Sequence, residues 1–278
     1  MKNTPIITSL LDTDLYKLTM MQVAFHQFTD ANVTYAFRCR NKNANLVPFI
    51  AEIQEEIDAY CDLTFQPNEL AVLSKMRFMK PGFIDFLEIY RPRKKHARVV
   101  AVPDVEGALD IQVEGPWWAT ILFEVPCLAI VNEVYFRNTY DMAERARLGE
   151  ERLLAKIAEA RKNPEWETFR FNEFGTRRRM SHAWQDRVLT ILQQECPKQL
   201  VATSNVYFAD KFNLTVMGTM AHEYLQAFQA LGPRLRDSQT AALDAWVKEY
   251  NGDLGIALTD VIGMDAFLRD ISRYYTKL

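Results

Sequence analysis

Residues 200–222 read LVATSNVYFADKFNLTVMGTMAH, and this stretch contains the pattern that decides the fold. Short apolar runs at residues 200–203 and 215–217 predict two strands, with a helix between them. Similar strand-like runs lie at residues 168–171 and 254–258, again separated by predicted helices. Repeated alternation of strand and helix is typical of a parallel sheet, either open or closed into a barrel.

The first half of the chain has a different pattern. The spacing Ser9-x-x-Asp12 predicts a capping box that begins the first long helix. Strands and short helices then follow without regular alternation, as in an α+β domain. Strands are predicted at residues 33–40, 97–102 and 108–114, and helices at residues 48–60 and 68–76. A charged helix over residues 141–162 marks the change, so we predict an α+β domain at residues 1–140 and a β/α domain at residues 141–278.

The composition excludes several classes of protein. The chain has 278 residues, of which 49% are hydrophobic and 25% charged, as in soluble globular proteins. The formal net charge is -3, and the absence of a basic excess argues against a nucleic-acid-binding protein. Phosphate recognition would therefore depend on a few well-placed arginines and lysines.

The four cysteines indicate a reducing compartment. Cys39, Cys61, Cys127 and Cys196 form no C-x-x-C pair and lie at no spacing typical of zinc ligands, so we expect free thiols and no structural metal site. The first residues lack the apolar run of a secretory signal. The longest uncharged run, residues 18–29, is too short to cross a bilayer. We therefore expect a soluble cytoplasmic protein without membrane contact.

Polar residues follow each predicted strand of the second half. They are Phe174-Gly175-Thr176-Arg177-Arg178-Arg179, Thr203-Ser204-Asn205, Gly218-Thr219 with His222, and Thr259-Asp260. In parallel β/α folds, the carboxyl ends of the strands carry the chemistry. Hydroxyls, arginines, one histidine and one aspartate would suit an anionic substrate with phosphates and a carboxylate. Taken singly, the arginines could lie on a solvated face, and Ser204, Thr219 and Asp260 could be helix caps.

His222 is the strongest candidate for a residue that takes part in a reaction. It is predicted in the first turn of a helix, where free N–H groups and the helix dipole favour an anion. A neutral imidazole at this position could accept a phosphoryl group, although a hydrogen-bonded packing role remains the alternative. His222-Glu223 begins like a zinc-binding H-E-x-x-H motif, but Gln226 occupies the position of the second histidine. We expect packing roles for His26, His96 and His182.

Several of these segments together carry a family resemblance. They are residues 10–20 (LLDTDLYKLTM), 174–178 (FGTRR), 203–205 (TSN), 218–223 (GTMAHE) and 257–260 (ALTD). The chain resembles the nicotinate phosphoribosyltransferase family along its whole length, with the motifs in the same order. The resemblance implies that nicotinate attacks C1 of phosphoribosyl pyrophosphate and releases pyrophosphate, making nicotinate mononucleotide for NAD biosynthesis. It also implies assistance by ATP hydrolysis through a phosphohistidine, with Mg²⁺ on the pyrophosphate.

The resemblance implies a fold and an assembly as well. The expected fold is an N-terminal α+β domain followed by an irregular, TIM-like β/α barrel of the type II phosphoribosyltransferase kind. The expected assembly is a homodimer with shared active sites. The family continues past the position of Leu278, and a barrel of about eight strands would need more β/α units than this chain supplies. We therefore expect an incomplete barrel.

The resemblance assigns roles residue by residue. Tyr16, from the partner subunit, and Phe174 would stack on the two faces of the pyridine ring. Arg177 would bind the nicotinate carboxylate or the phosphoribosyl phosphate, and Thr219 would contact nicotinate. His222 would be the phosphohistidine. The substrate-binding set is Tyr16, Phe174, Arg177, Ser204, Thr219 and Asp260. Core packing is the alternative for the two aromatic residues.

Ser204 bears on whether the substrate is nicotinate or nicotinamide. Relatives that use nicotinamide place an aspartate there, which would repel the carboxylate of nicotinate, so the uncharged Ser204 favours the acid. Three alternatives stay open. They are a nicotinamide-specific phosphoribosyltransferase, a catalytically incompetent fragment or remnant, and an isomerase or aldolase on a β/α barrel.

Overall fold

The architecture comes from a computed structural model, which describes residues 4–41, 43–103, 105 and 107–277. The helices are α1 (Leu15–Gln27), α2 (Ile50–Cys61), α3 (Pro67–Ser74), α4 (Pro81–Ile89), α5 (Trp117–Thr120), α6 (Glu124–Thr139), α7 (Met142–Ala160), α8 (His182–Glu195), α9 (Val206–Phe212), α10 (His222–Leu231), α11 (Ser238–Tyr250) and α12 (Met264–Asp270). The strands are β1 (Asn32–Ala36), β2 (Ala97–Ala101), β3 (Leu109–Pro116), β4 (Phe171–Glu173), β5 (Leu200–Thr203) and β6 (Thr215–Val216).

The first half of the chain contains an antiparallel sheet in the order β1-β3-β2. Val113 in the central strand lies opposite Tyr35 on one side and Ala97 on the other. Val113 and Ile111 point to the buried face of the sheet, because alternate residues of a strand share a face. The sequence predicts all three strands, although β1 ends at Ala36 rather than at residue 40.

The second half contains a parallel sheet in the order β4-β5-β6, as the alternating pattern predicts. Thr203 of β5 lies opposite both Glu173 of β4 and Val216 of β6. The three strands therefore end side by side, and the residues that follow them meet at one edge of the sheet. The chain thus has a mixed α/β architecture, as the sequence predicts.

Two of the four predicted parallel strands differ in the structure. The prediction of a strand at residues 168–171 places it too early, because Asn163 caps a 3₁₀ turn over Pro164–Glu167 that takes up the next two residues. The prediction of a strand at residues 254–258 is wrong. Leu254 has a left-handed backbone conformation with φ 58°, and side chains of Trp246 and Thr219 bind the carbonyls of Leu254 and Ile256.

The predicted capping box at Ser9 is also wrong. Helix α1 begins only at Leu15, and Asp14 occupies its N-cap position. The hydroxyl of Ser9 instead donates to the carboxylate of Glu69 and accepts from the backbone N–H of Leu11. Residues 9–14 therefore form an irregular segment that reaches the parallel sheet.

Helix α1 is the central element of the main hydrophobic core. Ten successive residues from Leu15 to Ala24 are buried, so the helix is surrounded on all sides. This core includes residues of the antiparallel half and of α10 and α11, whereas a smaller cluster fills the space between α7, α8 and β5.

The proposed division at residue 140 stays a prediction. Residues 117–139 are apolar and long enough to span a membrane, but most of this segment is buried in the protein core.

Candidate functional site

The segment before α1 lies along the edge where the parallel strands end. Asp14 forms a bridge with Asn205, directly after β5. The backbone N–H of Leu15 donates to the carbonyl of Ser204 over 2.8 Å, and that of Val206 donates to Thr13 over 3.0 Å. The start of α1 is thereby fixed against the end of β5, which brings the first motif of the sequence to the predicted site.

Asp14 joins two of the predicted site residues. Its carboxylate accepts from the Tyr16 hydroxyl and from the Ser204 hydroxyl, each over 2.7 Å. Ser204 is completely buried and Tyr16 almost so, at 6% exposure. Burial and the neighbouring Asp14 carboxylate raise the pKa of Tyr16, so its phenol stays protonated as a donor. Ser204 therefore holds the Asp14 carboxylate and has no exposed surface of its own.

Arg177 provides a cation beside this group. It lies in a 3₁₀ turn after β4, with its guanidinium carbon 5.9 Å from the centre of the Tyr16 ring. One nitrogen pairs with the Glu124 carboxylate over 3.0 Å, while nearly half of the side chain stays exposed. Phe174, just before this turn, is 54% exposed. Arg177 is thus held by a single carboxylate and can still bind an anion.

The end of β6 contacts α1 closely. Gly218 has a φ of 155°, and a Cβ atom there would lie 3.2 Å from the backbone nitrogen of Tyr16, so a side chain at this position would be strained and crowded. Thr219 accepts from the Thr19 hydroxyl through its carbonyl and donates its own hydroxyl to Ile256, both over 2.6 Å. Thr219 therefore connects α1 to the segment that leads to Asp260.

His222 is the first residue of α10, where the sequence predicts it. Its Nε2 lies 2.9 Å from the Asp260 carboxylate, and both side chains are more than half exposed. Although no strand precedes Asp260, the irregular segment still brings it to His222. Since Nε2 is occupied, Nδ1 is the ring nitrogen that remains for chemistry.

A buried network of charges lies next to these residues. No pattern in the sequence predicts it. The Lys17 side chain is completely buried, and its ammonium group donates to both Glu124 and Glu223. Glu223 also accepts from the Tyr35 hydroxyl over 3.1 Å. Lys17 lies within the quoted motif at residues 10–20, but nothing in the sequence indicates that its partners stand more than a hundred residues away.

A second buried ion pair lies at the edge of the sheet where the parallel strands end. Arg179 makes two hydrogen bonds to Asp12, over 2.7 and 2.6 Å, with both side chains 1% exposed. Asn205 donates to the same carboxylate over 2.8 Å. Burial opposes ionisation of Asp12, but Arg179 outweighs it and lowers the pKa of the carboxyl. Among the three consecutive arginines at 177–179, Arg179 is thus buried in an ion pair, whereas Arg177 is partly exposed.

The remaining histidines pack as expected. His26 bonds to Glu249 over 2.8 Å, His96 to the carbonyl of Glu114 over 2.7 Å, and His182 lies against Phe208. Across the described ranges, no three histidine, cysteine, aspartate or glutamate side chains are grouped so that they could hold a metal ion.

Comparisons with known proteins agree on one family. The model of the nicotinate phosphoribosyltransferase N-terminal domain matches residues 11–132, and that of the nicotinate phosphoribosyltransferase family matches residues 169–278. The chain is 53% identical to the nicotinate phosphoribosyltransferase of Acidovorax sp. (strain JS42), over 98% of its own length and 70% of the relative's. It is 54% identical to that of Burkholderia ambifaria, over 98% and 68%.

Solved structures give the same result. Nicotinate phosphoribosyltransferase from Porphyromonas gingivalis superposes with a TM-score of 0.87 at 31% identity, over 97% of this chain and 68% of that one. The enzyme from Vibrio cholerae superposes with a TM-score of 0.87 at 33% identity, over 98% and 64%.

Proposed function

The chain belongs to the nicotinate phosphoribosyltransferase family of enzymes, and on this basis we propose that it transfers the phosphoribosyl group of phosphoribosyl pyrophosphate to nicotinate. The observation that carries this proposal is the arrangement of site residues around the start of α1. Tyr16 and the half-exposed Arg177 lie together on one side, and the exposed pair of His222 and Asp260 opens α10. The first group suits an aromatic anion, and the second suits phosphoryl transfer.

The transfer itself requires little acid–base chemistry. The pyridine nitrogen of nicotinate forms a bond to C1 as the bond from C1 to pyrophosphate breaks, and the electron pair leaves with pyrophosphate. Such a displacement depends on positioning and on stabilisation of charge. Mg²⁺ would arrive bound to phosphoribosyl pyrophosphate, as part of that substrate.

Arg177 and Ser204 support nicotinate, rather than nicotinamide, as the substrate that accepts the phosphoribosyl group. The guanidinium of Arg177 can pair with the carboxylate of nicotinate, which nicotinamide lacks. Position 204 adds no second carboxylate to the site, because Ser204 is neutral and donates to Asp14. Tyr16 and Phe174 would hold the pyridine ring between them in a homodimer, with the small exposed part of Tyr16 presented to the partner's site.

ATP would assist through His222. With its Nε2–H donated to Asp260, the lone pair of Nδ1 can attack the γ-phosphorus of ATP. The N–P bond forms, the bond from the γ-phosphorus to the bridging oxygen breaks, and ADP leaves with that electron pair. The free N–H groups at the start of α10 would stabilise the charge on the phosphorylated imidazole.

Labelling with γ-labelled ATP tests this assignment. Wild type should acquire an acid-labile label, and His222→Asn should acquire none. The variant should keep slow, nicotinate-dependent release of pyrophosphate, because the positioning residues remain. His96→Asn is the matched control and should label like wild type, since His96 lies at the antiparallel sheet. Equal labelling of His222→Asn would show that another residue accepts the phosphoryl group.

We place this reaction in the salvage of nicotinate for NAD biosynthesis, in the cytoplasm. The state of the cysteines supports a reducing compartment, because Cys39, Cys61, Cys127 and Cys196 are free thiols in the structure and three of them are buried.

A further inference from the structure

Helix α6 holds Arg177 at two points. At the start of the helix, the Glu124 carboxylate accepts from Nη1 of Arg177 over 3.0 Å. Further along the same helix, the side-chain amide of Asn132 donates to the backbone carbonyl of Arg177, also over 3.0 Å. The arginine side chain is 45% exposed, and a long side chain with so much open surface would otherwise occupy many rotamers. The two contacts from α6 therefore restrict the conformations of Arg177.

The two oxygens of Glu124 bind different cations. Oε1 accepts from Arg177, and Oε2 accepts from the ammonium group of Lys17, which is completely buried. Glu124 is also the first residue of α6, where the helix dipole favours a carboxylate. Burial opposes ionisation of Glu124, but Lys17 and Arg177 hold its pKa at about 2, so the carboxylate stays charged. Lys17 thus fixes Glu124, and Glu124 fixes Arg177.

The contact with Glu124 leaves one edge of the guanidinium open. Among the residues that the structure describes, Glu124 is the only side chain hydrogen-bonded to this guanidinium, and it engages Nη1. Nε and Nη2 lie on another edge and can donate together to the two oxygens of a carboxylate. The guanidinium carbon lies 5.9 Å from the centre of the Tyr16 ring, so this cation belongs to the group that the proposed function assigns to an aromatic anion.

We propose that Glu124 is a positioning residue for Arg177 and thereby sets the affinity for the carboxylate of nicotinate. This inference rests on the function proposed above, in which Arg177 pairs with that carboxylate. Glu124 itself does not touch the substrate. It keeps the guanidinium ordered before nicotinate binds, so that binding loses less conformational entropy.

The negative charge of Glu124 acts in the opposite direction, because it repels the substrate anion. Lys17 offsets this repulsion, since its ammonium group contacts the second oxygen of the same carboxylate. Glu223, the other partner of Lys17, also accepts from the Tyr35 hydroxyl, and burial raises its pKa, so it draws less on the charge of Lys17. We therefore expect the ordering of Arg177 to outweigh the repulsion.

Glu124→Gln tests the proposal, because a glutamine side chain has only one acceptor oxygen for the two cations. The buried ammonium of Lys17 should take that oxygen, since a buried charge without a partner is costly. The amide NH₂ group would then face Arg177, donor to donor, and release it. Isothermal titration calorimetry should show nicotinate binding weakened by about tenfold, because the freed arginine must be ordered on binding. The affinity for phosphoribosyl pyrophosphate should stay unchanged.

Two further variants separate positioning from structural damage. In an Arg177→Ala background, Glu124→Gln should weaken nicotinate binding no further, because the residue through which it acts is gone. Glu133→Gln is the matched control on the same helix. Its carboxylate accepts from the backbone N–H of His182 over 2.9 Å, away from the Arg177 guanidinium, so nicotinate should bind as in wild type.

Glu124→Asp covers the case in which Glu124→Gln does not fold. It keeps the negative charge for Lys17 but shortens the side chain by one methylene group, so it should show the same selective loss of nicotinate affinity in smaller measure. Wild-type affinity for nicotinate in this variant and in Glu124→Gln would overturn the inference.

The remaining outcomes distinguish this inference from the proposed function. Tighter binding of nicotinate to Glu124→Gln would show that Glu124 competes for Arg177 instead of positioning it. Equal weakening of nicotinate and phosphoribosyl pyrophosphate, or an undiminished effect in the Arg177→Ala background, would show structural damage and would also overturn the inference. Absence of both nicotinate binding and nicotinate-dependent pyrophosphate release in wild type would refute the proposed function itself.

Discussion

Replacing Arg179 by methionine tests how the edge of the parallel sheet is held. The guanidinium makes two hydrogen bonds to Asp12, and both side chains are 1% exposed. In Arg179→Met the Asp12 carboxylate keeps its hydrogen bond from Asn205, and the nearest basic group is the His182 ring, 3.9 Å away, whose pKa is lowered by burial. The variant removes a buried charge while keeping a side chain of similar length.

The expected loss is large. Removal of one partner from a buried ion pair costs about 3–5 kcal/mol, because the other charge is left uncompensated. Urea unfolding followed by tryptophan fluorescence and far-UV circular dichroism would give the difference in the free energy of unfolding. Asp12→Asn with Arg179→Met should recover part of the loss, since it removes the unpaired carboxylate. Arg187→Met is the control, because Arg187 pairs with Glu150 at the exposed surface and its loss should matter little.

The pH dependence gives an independent test. In wild type the folded-state pKa of Asp12 is lower than its ordinary value of 3.8, so this carboxyl contributes stability above pH 3.8 that is lost as pH falls through the folded value. In Arg179→Met, burial without the Arg179 guanidinium should raise the folded-state pKa above 3.8, so the contribution reverses sign. The difference between variant and wild type should therefore shrink from pH 7 towards pH 4. A constant difference, or a loss below about 1 kcal/mol at pH 7, would refute this account of the Asp12 pair.

Substitutions of Ser204 and of Gly149 test contacts near the site and between helices. Ser204→Asp would place a second buried carboxylate beside Asp14 and should cost about 3 kcal/mol, whereas Ser204→Ala should cost about 1 kcal/mol; equal losses in urea unfolding would contradict the proposed geometry. Gly149→Ala should destabilise by about 1–3 kcal/mol, because the new Cβ would lie 2.6 Å from the Trp184 ring. Gly82→Ala, with open space around the Cβ, should instead raise the melting temperature slightly. A melting temperature for Gly149→Ala at or above that of wild type would show that α7 and α8, which carry Gly149 and Trp184, can move apart at little cost.

Local signals in the sequence determine much of the fold. The apolar run at Leu200–Thr203 is a strand with the predicted bounds, and the charged helix predicted at residues 141–162 is present as Met142–Ala160. These features depend on neighbouring residues, because hydrophobic periodicity, turn residues and helix stops act over a few positions. The same signals place His222 in the first turn of a helix. They also place Arg177 in the segment that follows a parallel strand.

Only the tertiary structure decided how the charged residues are paired. Asp12 and Arg179 stand 167 residues apart, and Lys17 and Glu223 stand 206 apart, so no local pattern relates them. The wrong prediction of a strand at residues 254–258 has a similar cause, because side chains of Thr219 and of Trp246 in the preceding helix take up carbonyls of this segment. Sequence patterns indicate candidate site residues, but their burial and pairing depend on contacts between distant parts of the chain. Arg177 therefore stays accessible while Arg179 is enclosed in an ion pair because the two side chains lie at different depths in the fold.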